Sequence, residues 1–322
     1  MAYRLTLAPW LKGYRPGDAA ADGMAALIVT LMLIPQSLAY ALVAGVPAQM
    51  GLYASILPLL AYALFGSSRT LAVGPVAVVS LMTAAAAGQV AGGDSGAYLA
   101  ATVILALLSG VFLVAMGLLR LGWIANLLSH SVISGFITAS GLLIAASQLK
   151  HLLGIPMQGD TLWELGLSAF REAAGVNGAT LLLGAAALQS QGVAVVGAIP
   201  GGLPALSLPA FDAGVWGQLA LPALLISLIG FVESVSVAQT LAAKRRQRVD
   251  SNAELVGLGA ANLASGVSGG FPVTGGFSRS VVNFDAGARS PMAGVFTAGG
   301  IALTALFFTP WFYYLPKATL AA

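Results

Sequence analysis

Residues 34–81 read IPQSLAYALVAGVPAQMGLYASILPLLAYALFGSSRTLAVGPVAVVSL, and Arg69 is the one charged residue among them. The uncharged run reaches back to Gly23, since Asp22 is the last charge before Arg69. On a water-soluble fold such a stretch would leave a contiguous apolar surface of a kind that monomers avoid. The chain is therefore read as an integral membrane protein. The composition of the 322 residues agrees: 8 % are charged and 58 % hydrophobic, with a mean hydropathy of +0.90. A soluble domain carries about 25 % charged residues. The apolar runs are continuous rather than alternating, which argues against a β-barrel. The 40 glycines and 15 prolines, many inside these runs, indicate helices that pack closely and are interrupted, as in transporters.

The net charge of +3 and the pI near 9.3 carry no nucleic-acid signal, because basic residues in a membrane chain mostly set topology. The absence of cysteine removes disulfides, thiolate catalysis and cysteine-bound metals, and two histidines, His130 and His151, do not suggest a metal site. No cofactor is expected. No cluster of titratable groups suggests acid–base, nucleophilic or metal chemistry, so the chain is not read as an enzyme. The start, MAYRLTLAPWLKGYRPGDAAADG, has no short apolar core followed by a small-residue cleavage site and is read as a basic cytoplasmic lead-in.

Uncharged stretches long enough to cross about 30 Å of hydrocarbon place spans near 24–44, 51–66, 73–91, 97–119, 131–149, 176–188, 216–243, 252–268, 274–288 and 290–311. Lys and Arg in short loops orient them. With Arg4, Lys12 and Arg15 inside, Arg69 and Arg120 also fall on the cytoplasmic side of the cell's inner (plasma) membrane. The cluster Lys244, Arg245, Arg246 and Arg248 belongs there too, which requires an even number of crossings between Lys150 and Asp212. Only one short candidate is visible in that interval, so part of the first half is expected to be missing near 176–200. The chain stops at LPKATLAA, which reads as the start of a further span.

Transporters are commonly built from two inverted halves, and traces of duplication are visible. LIPQSLAYALVAG (33–45) can be laid on FVESVSVAQTLAA (231–243) so that Gln36 meets Glu233 and Ser37 meets Ser234. AVGPVAVVSLMTAAA (72–86) and TGGFSRSVVNFDAGA (274–288) each open with glycine and run on as a short helix. A half-helix that begins at mid-membrane has unpartnered N–H groups and about half a positive charge at its start. An anion satisfies both. Gly74-Pro75 fits a helix start, Gly275 and Gly276 permit close approach to the backbone, Ser278 adds a hydroxyl and Arg279 an intramembrane positive charge. Gln36 contributes an amide donor, with Tyr40 one turn away. The structural alternatives are a kink at Gly-Pro, aromatic packing for Tyr40 and Phe277, back-bonding to helix carbonyls for Ser234 and Ser236, and an ion pair of Arg279 with Glu233 or Asp285. Glu233, in the middle of LLISLIGFVESVSVAQTL, is expensive to keep ionised in a low dielectric, which makes it a candidate proton or cation carrier.

Residues 34–81, together with FVESVSVAQTLAAK (231–244) and NAELVGLGAANLASGVSGGFPVTGGFSRSVVN (252–283), resemble the sulfate permease (SulP) family, relatives of the solute-carrier-26 anion transporters. The resemblance implies an all-helical membrane fold of two inverted seven-segment repeats, with core and gate domains as in uracil permeases and with segments 3 and 10 broken by short strands. The whole of 1–322 is then one transport domain, with 1–200 the first repeat and 201–322 a truncated second. The STAS domain that usually follows in the family is absent from the sequence. By position, the anion site consists of Gln36, Tyr40, Gly74, Val76, Gly276, Phe277, Ser278 and Arg279, with Glu233 for the coupling ion. Val76 stands where several relatives have an aromatic residue. The implied activity is secondary active transport, by an elevator-like alternating-access movement, of a small anion: a C4-dicarboxylate such as fumarate, or sulfate, or bicarbonate. Co-transported H+ is the first expectation, and Na+ coupling, an uncoupled exchanger or channel, and a nucleobase permease are the alternatives. The partners implied are the anion, its co-ion and the bilayer, with a homodimer left open. A nucleobase permease is expected to carry acids on both the eighth and tenth segments, whereas Arg279 occupies the tenth.

Overall fold

The computed structural model of the chain describes residues 7–126, 195–206 and 208–315, together with 167, 168 and 171. The expected spans at 131–149 and 176–188, residues 189–194 of the interval expected to be shortened, and both histidines lie outside the described residues. Among the described residues, five helical stretches are long and apolar enough to cross a membrane: Pro16–Val43, Ala48–Phe65, Ser95–Leu118, Ala213–Lys244 and Met292–Phe312.

The chain divides into two compact units, one of residues 1–129 with 203–303 and the other of 130–202 with 304–322. The first unit contains α1 (Pro16–Val43), α2 (Ala48–Tyr53), α3 (Leu57–Phe65), β1 (Val73–Gly74), α4 (Ala77–Ala91) and α5 (Ser95–Leu118). After the intervening segment come α6 (Ala213–Lys244), α7 (Ser251–Val267), β2 (Thr274–Gly275), α8 (Phe277–Asp285) and α9 (Met292–Leu303). One order is thus used twice: a long helix, a second helical segment, a two-residue strand running into a short helix, and a closing helix. Of the second unit, the described parts are a π turn at Thr304–Phe308 and a 3-10 turn at Thr309–Phe312, with Val196 N–H donating to Leu315 O at 3.0 Å and Gly202 N–H to Ala305 O at 2.9 Å.

Several of the few acidic residues start helices. Asp94, Asp212 and Asp250 each accept backbone N–H groups of the following turn, as at Gly96 (2.8 Å), Gly214 (2.8 Å) and Asn252 (2.9 Å), supplying acceptors that the first turn lacks. Two expected boundaries change. The span placed at 24–44 starts at Pro16, because Asp22 is fully buried with partners of its own: Arg289 N–H at 2.6 Å and Ser290 Oγ at 2.6 Å. The single span placed at 51–66 is two helices, since Pro58 has no N–H with which to continue the helix across residue 54.

Close backbone approach holds the helices together. α5 lies along α7, and a Cβ on Gly110 would fall 2.9 Å from Gly259 O, as would one on Gly259 from Gly110 O. Small residues facing each other in this way let dispersion contacts replace the hydrophobic drive that lipid does not provide.

Candidate functional site

Two-residue strands cannot hold themselves, so the pairing of β1 with β2 needs outside support. They run antiparallel, Val73 opposite Gly275 and Gly74 opposite Thr274, all four residues buried. Asn262 of α7 clasps the approach to β2, receiving Val273 N–H at 3.0 Å and donating to Val273 O at 2.8 Å. Ser234 of α6 receives Gly275 N–H at 2.9 Å and lies 2.6 Å from Thr274 Oγ1. On the β1 side, Ala72 N–H donates to Ser280 Oγ at 3.0 Å, and Asn283 donates to Thr70 O at 3.0 Å, both from α8. Asn262, Ser234, Ser280 and Asn283 thus supply side-chain partners to backbone groups in and beside the strands. Ser234 also donates to Gly230 O at 2.7 Å, so the back-bonding alternative is correct as far as it goes, and the same oxygen anchors the strand.

Because the strands are antiparallel, the helices that follow them leave in opposite directions with their N-termini on either side of the pair. The first hydrogen bonds around these starts are Ser80 N–H to Val76 O and Ser280 N–H to Gly276 O. The N–H groups of 77–79 and 277–279 therefore have no carbonyl within their own helices. Val76 and Gly276 are the N-cap residues, both extended.

Arg279 joins the two halves. It is 1 % exposed, its Nη1 donates to Pro75 O at 2.6 Å and its Nη2 to Thr274 O at 3.3 Å. Its Nε has no partner among the described residues. The glycines around it are seats for the guanidinium: a Cβ on Gly276 would lie 2.8 Å from Nε and Nη2, and one on Gly74 3.2 Å from Nη1. The space expected above Gly275 for a ligand is filled by Leu71, 2.6 Å from where a Cβ would be. The expected alternative of an ion pair with Glu233 or Asp285 is not what is found. No carboxylate among the described residues lies within 4.0 Å of Arg279, and its partners are neutral carbonyls. Glu233, 9 % exposed, is near enough to act on it electrostatically without touching it.

The other expected site residues take different places. Phe277 and Ser278 are exposed on the first turn of α8. Gln36 and Tyr40 are half-buried on α1, which packs on both α4 and α8, and the Gln36 Oε1 has no partner among the described residues. The structure therefore brings α1, the two half-helix starts and Arg279 together within the first unit, with Arg279 behind the strands rather than at an open surface. The sequence reading missed Asn262, Ser280, Asn283 and Thr274 as supports. The available signal was polar residues inside the otherwise apolar 252–283.

Two stretches of the chain, 20–190 and 168–322, match the sulfate permease family. The chain belongs to this family. It is 38 % identical over 357 residues to the chloroplastic sulfate transporter 4.1 of Arabidopsis thaliana, covering 97 % of this chain and 51 % of that protein. It is 34 % identical over 345 residues to a probable sulfate transporter of Mycobacterium tuberculosis (strain CDC 1551 / Oshkosh), covering 97 % and 60 %. The chain thus spans between about half and three fifths of the length of these sulfate permease relatives. Among solved structures, it resembles the transmembrane domain of the cyanobacterium bicarbonate transporter BicA, with a TM-score of 0.85 and 25 % identity over 96 % of this chain and 88 % of that one. It also resembles the murine solute carrier 26 family member A9 anion transporter in its inward-facing state, with a TM-score of 0.89 and 25 % identity over 97 % and 60 %. The fold is the inverted-repeat fold of these sulfate permease relatives.

Proposed function

We propose that this sulfate permease family member is a secondary active transporter of a small anion, and that the anion sits at the facing starts of α4 and α8. The observation that carries this reading is Arg279: among the described residues, its buried guanidinium bonds only neutral carbonyls and its Nε has no partner, between two helix N-termini. A buried positive charge without a counter-charge is costly, and two helix dipoles add to it. A bound anion offsets all three. In this reading Gln36, Tyr40, Val76, Phe277 and Ser278 line the site, Gly74 and Gly276 admit the guanidinium, and Arg279 supplies a fixed field from behind.

The names of the relatives, sulfate and bicarbonate transporters among them, support sulfate or bicarbonate as the cargo, with C4-dicarboxylates as a further class that helix N-termini and one guanidinium can accept. Glu233 couples the movement to proton entry, the first unit is the carrier element that moves with its anion in an elevator-like cycle, and 1–200 and 201–322 are the two repeats. The protein resides in the inner (plasma) membrane with its N-terminus in the cytoplasm. The test is a panel of labelled sulfate, bicarbonate, fumarate and uracil offered to proteoliposomes under imposed proton or sodium gradients. Accumulation of one anion driven by the proton gradient is expected. Downhill flux alone makes the protein an exchanger or channel, and uptake of uracil instead overturns the anion assignment.

A further inference from the structure

α8 has nine residues, too few for internal hydrogen bonds to fix its geometry, and the direction of its first turn decides where its dipole and Ser278 point. Its far end is held from outside. Arg245, the residue that ends α6, donates from Nη2 to Phe284 O at 2.7 Å and from Nη1 to Ala288 O. Its guanidinium carbon lies 4.1 Å from the centroid of the Phe284 ring. A flat fork that bonds two carbonyls and stacks on a ring is something an ammonium does not reproduce. The neighbours Lys244, Arg246 and Arg248 are exposed, whereas Arg245 is half-buried. Burial, and after it the charge of Arg289, draws the Arg245 pKa below the usual guanidinium value, against the pull of Asp22 and Asp285.

The same turn is tied down on its other side. Asp22 of α1 accepts Arg289 N–H at 2.6 Å, Ser290 N–H at 3.1 Å and Ser290 Oγ at 2.6 Å, and Asp18 pairs with Arg289 at 2.9 Å. The C-terminal ends of α6 and α8 both carry partial negative charge, and one cation placed between them stabilises both. α6 carries Glu233 and Ser234, and α8 carries Ser278 and Arg279. Arg245 is therefore the side chain that fixes, from one end, the two helices whose other parts make up the site.

We infer that Arg245 is a positioning residue for the anion site, holding α8 at its C-terminal end so that its N-terminal turn stays aligned with α4 and Glu233. This rests on the functional reading above. Lacking cysteine, the chain accepts a single reporter thiol as Ser278→Cys on the exposed first turn of α8. The maleimide reaction rate of that thiol is measured in the full chain with Arg245, Arg245→Lys, Arg245→Gln and Phe284→Leu. Sulfate uptake and thermal unfolding are followed in the same set without the reporter.

Arg245→Gln is expected to change the thiol's reaction rate and to raise the half-saturating sulfate concentration, each by about three- to fivefold, and to lower the melting temperature because two carbonyls lose their donor. Arg245→Lys is expected to fall between. Equal thiol rates and equal half-saturation in all backgrounds overturn the inference, and so does a lowered melting temperature with both quantities unchanged. Should Arg245→Gln not fold, Arg245→Lys and Phe284→Leu, which keep the positive charge, decide by the same two readouts. A wild-type protein that moves no anion defeats the functional reading alone, because the thiol rate still reports whether Arg245 sets the position of α8.

Discussion

Arg279 is held by Pro75 O and Thr274 O, so its place depends on the absence of a side chain at Gly276. Alanine there, at a backbone φ of −83° that any residue adopts, would put its Cβ 2.8 Å from the guanidinium and displace it. Gly276→Ala is therefore expected to reproduce Arg279→Ala although it removes no charge: both lose anion uptake in proteoliposomes while the protein still reaches the membrane. Uptake by Gly276→Ala at the wild-type rate, with Arg279→Ala inactive, would show that the charge works without this seat. Glu233 makes a separate prediction. Its carboxylate is buried close to Arg279 but not bonded to it, so Glu233→Gln keeps the shape and removes the titration. Downhill anion exchange is expected to persist and pH-driven accumulation to be lost, and concentrative uptake by Glu233→Gln would refute the coupling role.

The crossing of β1 and β2 depends on side chains of helices far away in sequence, and Asn262 is its most exacting support. Removing its amide leaves the buried N–H and C=O of Val273 without partners, at a cost of about 2 kcal/mol or more. Asn262→Ala is expected to lower the melting temperature of the detergent-solubilised protein, and Asn262→Asp, which keeps the acceptor but turns a buried carboxyl oxygen toward the carbonyls of Leu258 and Val273, to lower it at least as much. An unchanged melting temperature in both would mean that the strands stand without the clasp. These elements also mark how far the sequence could be read. Long helices such as α5 and α6 were visible because uncharged apolar runs have the length of a bilayer, and the start of α4 because Gly74-Pro75 announces it. Strands of two residues have no periodicity, so β1 and β2 entered only through the family resemblance. Arg279 stood out as a charge, yet its partners are backbone carbonyls, one of them 204 residues away, and no residue type signals a carbonyl. Asn262 and Ser280 were hidden for a related reason: a polar residue within a helix back-bonds to its own turn as readily as it reaches across.

Across the first unit, charge is partitioned end to end. At one end meet the start of α1 with Asp18 and Asp22, the turn after α8 with Arg289, and the cap of α6 with Arg245. The turn after α3 joins them, where Glu254 of α7 accepts Ser67 N–H at 2.8 Å and Tyr62 Oη at 2.7 Å, as does the turn after α5, where Gly122 N–H donates to Asn252 at 2.9 Å. Arg15, Arg69, Arg120, Lys244, Arg246 and Arg248 lie on these same segments. At the opposite end Tyr98 Oη donates to Ala44 O at 2.8 Å beside a cavity of about 370 Å³ lined by Gly45, Gly93 and Asp94, and no described Lys or Arg of the unit falls there. Under the proposed orientation, with basic residues retained on the cytoplasmic side, the cluster after α6 is expected inside and the Asp94 turn outside. Because the chain has no cysteine, single thiols report this directly. In intact cells a membrane-impermeant maleimide is expected to label exposed Ser95→Cys and to leave exposed Arg248→Cys untouched until the membrane is permeabilised. The reverse pattern would invert the orientation, and labelling of both in intact cells would place the two turns on the same face and break the inverted pairing of the repeats.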